Sequence, residues 1–148
     1  MELTELIAPA RVMLDLRARD KAQLISDLAR IAAGLTSSIP PATIEAALLA
    51  RERLGSTGLG AGFALPHARI EGLTQFLGFF VRLARPVEFD AIDGNPVDLV
   101  FLLLIPADAA DHVGALAAVS RRFRDRGQAT RLRKAPNQAV AYSLLTEP

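Results

Sequence analysis

Apolar positions change their spacing several times along the chain, and each change marks an element. Val12-Met13-Leu14-Asp15-Leu16 reads as a short strand. From Lys21 to Ala33 the residues Leu24, Ile25, Leu28, Ile31 and Ala32 fall on one helix face, with Asp20 placed to cap it and Gly34 to stop it. Pro40-Pro41 opens a second helix, Ala42 to about Arg53, because Pro41 suits a first helical turn. Strand-like runs follow at Gly62–Leu65, Phe76–Leu83 and Asp98–Ile105, the last apolar as a strand covered on both faces should be. Ala91-Ile92-Asp93-Gly94-Asn95-Pro96 is a turn between the last two. A helix from about Asp111 to Arg124 ends near Gly127, and shorter helical pieces are expected around Ala129–Lys134 and Gln138–Leu145.

Strands bracketed by helices at both ends predict an α/β fold: a three-layer α/β/α sandwich with a central mixed β-sheet flanked by helices on both faces. The 148 residues are read as one domain, since domains run to roughly 100–200 residues and no linker or repeat interrupts the pattern. A hydrophobic content of 51% is enough for a compact core.

Composition narrows the chemistry. With no cysteine, disulfides and thiolate metal sites are excluded. The strongest apolar run, Leu99–Ile105, is far shorter than the ~20 residues of a membrane span. MELTELIAPAR does not open like a secretory signal, so a cytoplasmic protein without membrane insertion is expected. The net charge of +1 hides a split. Between Pro86 and Asp111 there are six acidic residues and no Lys or Arg, whereas Arg121–Lys134 carries seven basic residues against Asp125 alone. Nucleic acid is not the expected partner of that basic cluster, because aromatic stacking residues are sparse there.

The stretch RERLGSTGLGAGFALPHAR, Arg51 to Arg69, holds the candidate chemistry. It is not a nucleotide loop: no lysine occurs between Lys21 and Lys134, and the glycines lead into a strand instead of opening a helix. What it offers is backbone, since glycines such as Gly58 and Gly60 let peptide N–H groups approach a ligand closely. Pro66 holds Leu65 extended, so His67 leaves the strand end on a stiffened approach. Neutral imidazole is a nucleophile, and an ordinary pKa near 6.5 keeps it mostly neutral around pH 7. The second histidine, His112, begins a helix and shares a stripe with Leu116, Val119 and Phe123, near a helix N-terminus that favours anions. Two histidines make no convincing metal site, and Ser56 lies in no Gly-x-Ser-x-Gly elbow.

Glu52–Ala68, ERLGSTGLGAGFALPHA, closely resembles the phosphohistidine signature of the fructose/mannitol-type IIA proteins of the bacterial phosphotransferase system. Glu52, Leu59-Gly60 and Ala64-Leu65-Pro66-His67-Ala68 match that pattern; Phe63 departs from it, a smaller aliphatic residue being usual there. Phe89–Asp108 and the His112 helix look like the same family's later strand and second histidine, so the resemblance covers nearly the whole chain. GSTGLG with FDAIDGNPVDL is most similar to the stand-alone nitrogen-regulatory branch. A His-Leu-His common in that branch is His112-Val113-Gly114 here, so only its first histidine carries over.

The resemblance implies that His67 accepts a phosphoryl group from the phosphohistidine of an HPr/NPr-type carrier, in a relay beginning with phosphoenolpyruvate and enzyme I. No metal, nucleotide or other cofactor is implied. His112 is expected to donate to the phosphoryl group or to fix the His67 ring, and Arg51 to screen phosphate charge. Ser56 and Thr57 are either hydroxyl donors or loop residues. Regulatory targets such as potassium-transport regulators are the expected partners. The competing expectations are a sugar-transport component passing phosphate to a IIB protein, a binding module that no longer exchanges phosphate, and nucleic-acid binding through Arg121–Lys134.

Overall fold

A computed structural model describes residues 1–36 and 38–148. Two 3-10 turns, Leu3–Glu5 and Pro9–Arg11, precede β1 (Val12–Leu16), α1 (Lys21–Ala33) and α2 (Pro41–Arg53). The glycine-rich stretch then forms β2 (Gly58–Gly60), β3 (Phe63–Ala64) and β4 (His67–Ile70). The long strands β5 (Leu77–Val87) and β6 (Val97–Pro106) follow, then α3 (His112–Arg124), α4 (Arg126–Lys134) and α5 (Gln138–Thr146).

Local chemistry accounts for the helix ends. Asp20 accepts from Gln23 N at 2.8 Å, and Asn137 accepts from Val140 N at 2.9 Å, each satisfying an otherwise orphaned N–H of a first helical turn. Asp125 does the same for α4 with Gly127 N and Gln128 N, which is why that helix starts three residues before the expected Ala129. At the far end of α4, Arg82 donates to the carbonyls of Leu132 at 3.1 Å and Ala135 at 2.8 Å while pairing with Asp15 at 3.3 Å. One guanidinium thus closes a helix C-terminus and ties it to β1.

The six strands form one mixed sheet in the order β1-β5-β6-β3-β2, with β4 also on β6. β1 runs parallel to β5, β5 antiparallel to β6, and both β3 and β4 parallel to β6. Phe63 faces Leu99 and His67 faces Leu103, so the register on β6 is the same on either side of Leu65-Pro66. β3 and β4 are therefore one line of chain, interrupted where Pro66 has no N–H to give the ladder. Its carbonyl still accepts from Leu103 N at 3.0 Å.

Alternate residues of β6 enter two separate cores. Val100, Leu102 and Leu104 pack with Leu24, Leu28, Ile44 and Leu48 of α1 and α2. Leu99, Phe101, Leu103 and Ile105 pack with Val119, Phe123, Leu132 and Leu145 of α3, α4 and α5. Helices thus cover both faces, as the all-apolar β6 predicts. Phe63, the residue out of step with the family pattern, stacks on Phe123 with ring centroids 4.0 Å apart, and so helps seat α3 on the sheet.

Candidate functional site: His67 and its surroundings

β4 places His67 and Arg69 on the same side of the sheet, because strand side chains alternate and Leu103 and Ile105, their partners on β6, face α3. His67 is half-buried. Its Nδ1 lies 2.7 Å from the carbonyl oxygen of Leu65. A carbonyl can only accept, so Nδ1 carries the ring hydrogen and Nε2 keeps the lone pair. Burial lowers the His67 pKa below the ordinary histidine value; the Leu65 carbonyl opposes this, Arg51's charge adds to it, Glu52 opposes it and His112 adds to it. The ring is held neutral, with one nitrogen committed and the other available as a nucleophile.

Arg51, on the last turn of α2, donates Nη1 to the Gly55 carbonyl at 2.8 Å and brings its charge within reach of His67. Glu52 turns inward from the same helix end, with its side chain only 6% exposed. It accepts from Thr57 N at 3.1 Å and from the Thr57 hydroxyl, and pairs with Lys21 of α1 at 2.9 Å. Lys21 also lies 4.5 Å from the Phe89 ring centroid and 3.6 Å from Asp90. The Ser56 hydroxyl donates to Phe89 O at 2.8 Å and accepts from Gly58 N at 3.0 Å. Both hydroxyls are thus engaged in tying the loop to α2 and to the chain after β5, and Thr57 is only 2% exposed.

The glycines answer to packing. A Cβ on Gly58 would lie 2.8 Å from Ala91, and Gly60 adopts a φ of +103° at the start of a turn held by Ala61 N donating to Asp93 at 2.9 Å. That bond, with those Asn95 donates from its N–H and its side chain, keeps the Asp93 carboxyl below its ordinary pKa, the one from Ala61 contributing most. Pro66 is buried.

The second histidine, at the start of α3, does not supply the bond that fixes His67: the Leu65 carbonyl does. His112 instead meets Arg69, whose Nη2 lies 2.7 Å from His112 Nδ1. Arg69 and Lys21 are contacts that sequence reasoning missed. Arg69 stands two residues beyond His67, a signal usable only once that stretch is read as a strand. Lys21 lies 31 residues before Glu52, and nothing local links the two.

Three of the seven basic residues in the cluster are engaged internally: Arg133 pairs with Asp98 at 2.8 Å and Arg131 with Glu147 at 2.9 Å, while Arg122 donates to the Glu147 carbonyl. Among the described residues, no group of three or more His, Asp or Glu gathers where it could hold a metal ion. No helix among them is long and apolar enough to cross a membrane.

The family model described as phosphoenolpyruvate-dependent sugar phosphotransferase system, EIIA 2, matches residues 5–147, and the chain belongs to that family. Within it, this chain is a homologue of the nitrogen regulatory proteins. One from Bradyrhizobium diazoefficiens is 44% identical over 149 residues, covering 100% of this chain and 97% of its own. One from Escherichia coli (strain K12) is 42% identical over 127 residues, covering 84% of this chain and 76% of its own. The crystal structure of nitrogen regulatory protein IIA-Ntr from Neisseria meningitidis superposes with a TM-score of 0.92 at 34% identity, covering 97% of this chain and 99% of that one.

Proposed function

We propose that His67 accepts a phosphoryl group on Nε2 from the phosphohistidine of an HPr/NPr-type carrier, in a relay fed by phosphoenolpyruvate and enzyme I. The observation that carries this reading is the bond from His67 Nδ1 to the Leu65 carbonyl, which leaves Nε2 as the nucleophilic nitrogen. In the transfer the Nε2 lone pair forms the new N–P bond as the carrier's P–N bond breaks, and that electron pair returns to the carrier's ring. Nδ1 keeps its hydrogen, and the Leu65 oxygen faces the positive charge the ring gains. Arg51 and His112 stand near enough to influence His67 electrostatically, and such fixed charge and alignment are what phosphoryl transfer needs. Gly58 and Gly60 shape the hairpin before it; Ser56 and Thr57 hold that loop in place.

The consequence of the transfer is regulatory on this reading. The added charge, about −2, switches the binding of target proteins, potassium-transport regulators among them. The likeness to nitrogen regulatory proteins supports regulation over sugar transport.

Incubation with phosphoenolpyruvate, enzyme I and an HPr-type carrier, read by intact mass, tests the assignment. The unaltered chain should gain one phosphoryl group, His67→Ala none, and His112→Ala should react slowly. Full phosphorylation of His67→Ala would sink it.

A further inference from the structure

Arg69 and His112 come from different elements and meet with Arg69 Nη2 at 2.7 Å from His112 Nδ1. A guanidinium has only donors and stays charged, so the ring nitrogen in this bond must accept. Nδ1 of His112 is therefore bare, and the hydrogen of the neutral ring lies on Nε2. The same guanidinium donates Nη1 to the Ala107 carbonyl at 2.9 Å, in the turn that joins β6 to α3. Arg69 is held at two points, and the planar fork passes that order on to the His112 ring. The two histidines thus hold their hydrogens on opposite nitrogens: His67 on Nδ1, leaving Nε2 to react, and His112 on Nε2, leaving that N–H to donate.

We propose that Arg69 is a positioning residue that acts through His112, locking it as an Nε2–H donor for the phosphoryl group on His67. The proposal rests on His67 being the phosphoryl acceptor. Its chemical sense is complementarity, because a phosphoryl oxygen accepts only and gains from a donor already oriented before transfer. Arg69 is exposed, so its side chain can be shortened without opening either core.

Two measurements on the full chain test this. Long-range 15N–1H spectra report which ring nitrogen of His112 carries hydrogen, whether or not the protein is phosphorylated. The unaltered chain and Arg69→Lys should show a bare Nδ1 and a protonated Nε2, and Arg69→Met should show exchange between the two tautomers. A tautomer unchanged in Arg69→Met overturns the proposal. The rate of phosphorylation by phospho-HPr is the second measurement. Arg69→Met should slow transfer about tenfold, the size of one lost hydrogen bond to a charged group, and Arg69→Lys should restore most of it. In a His112→Gln background Arg69→Met should slow transfer less than twofold, since the route through His112 is already gone. Independent, multiplying effects would mean that Arg69 acts by its charge alone and would also overturn the proposal. Failure of the unaltered chain to accept phosphate would remove the role of His67, and the spectra would still decide what Arg69 does to His112.

Discussion

Glu52→Ala removes a carboxylate on which two elements converge. Thr57, buried at 2% exposure, would lose the acceptor of both its N–H and its hydroxyl. Lys21 would keep the exposed carboxylate of Asp90, 3.6 Å away, and the face of the Phe89 ring. Leaving buried donors unpaired costs about 1–3 kcal/mol, and breaking a buried ion pair from one side about 3–5 kcal/mol. The Lys21 side chain retains 20% exposure, so water recovers part of the second amount. A combined cost of about 3 kcal/mol is expected, or roughly 6–12 °C in Tm for a chain of this size. Urea unfolding of Glu52→Ala and thermal melts measure it directly. Glu52→Gln supplies a second readout. Burial is the main reason the His67 pKa lies low, but the Glu52 anion pulls it upward, so neutralising Glu52 should lower it further. An NMR titration of the His67 ring follows that shift. A stability loss below about 0.5 kcal/mol in Glu52→Ala, or a His67 pKa that rises in Glu52→Gln, would refute the reasoning.

Two further outcomes follow from geometry described above. Because burial depresses the His67 pKa, the acid limb of the phosphorylation rate against pH should have its midpoint below about 6.5, moving lower still in Glu52→Gln; a midpoint at or above 6.5 contradicts the assignment of Nε2 as a neutral nucleophile. Gly78→Ala should destabilise by about 3 kcal/mol in urea unfolding, because its Cβ would lie 2.5 Å from the Leu6 carbonyl and 2.9 Å from the Phe101 ring, and a near-neutral result would show that the N-terminal segment yields freely.

How far the fold could be read from the residues depended on how local its causes are. α1 runs over the expected Lys21–Ala33 because its cap, its apolar face and its stop all lie within the segment. β6 was equally plain from its unbroken apolar run. β5 extends past Leu83 to Val87, through Pro86, where its pairing with β6 shifts register between Arg82 and Val87. A proline gives no N–H to a ladder, and the irregular pairing accommodates it. Three residues holding two glycines carry no strand propensity, so β2 is not legible in the sequence; pairing with β3 makes it a strand. β4 was hidden by its composition, as His67 and Arg69 lend it polarity and Pro66 precedes it. At the site, His67 stood out because a proline and a glycine run frame it locally. Lys21, Arg69 and the carbonyl of Leu65 matter through contacts that only the folded chain brings about.

The constant register of β3 and β4 on β6 bears on what kind of signal this molecule can send. His67 stands on a strand locked to its neighbour before and after it, with its ring fixed by a main-chain oxygen two residues back. A group added at Nε2 would stand on that fixed strand, on a ring already held at Nδ1 by the Leu65 carbonyl. Modified and unmodified chains would therefore share one shape and differ in surface potential, and a partner telling them apart would lose that discrimination as added salt shortens the reach of charge.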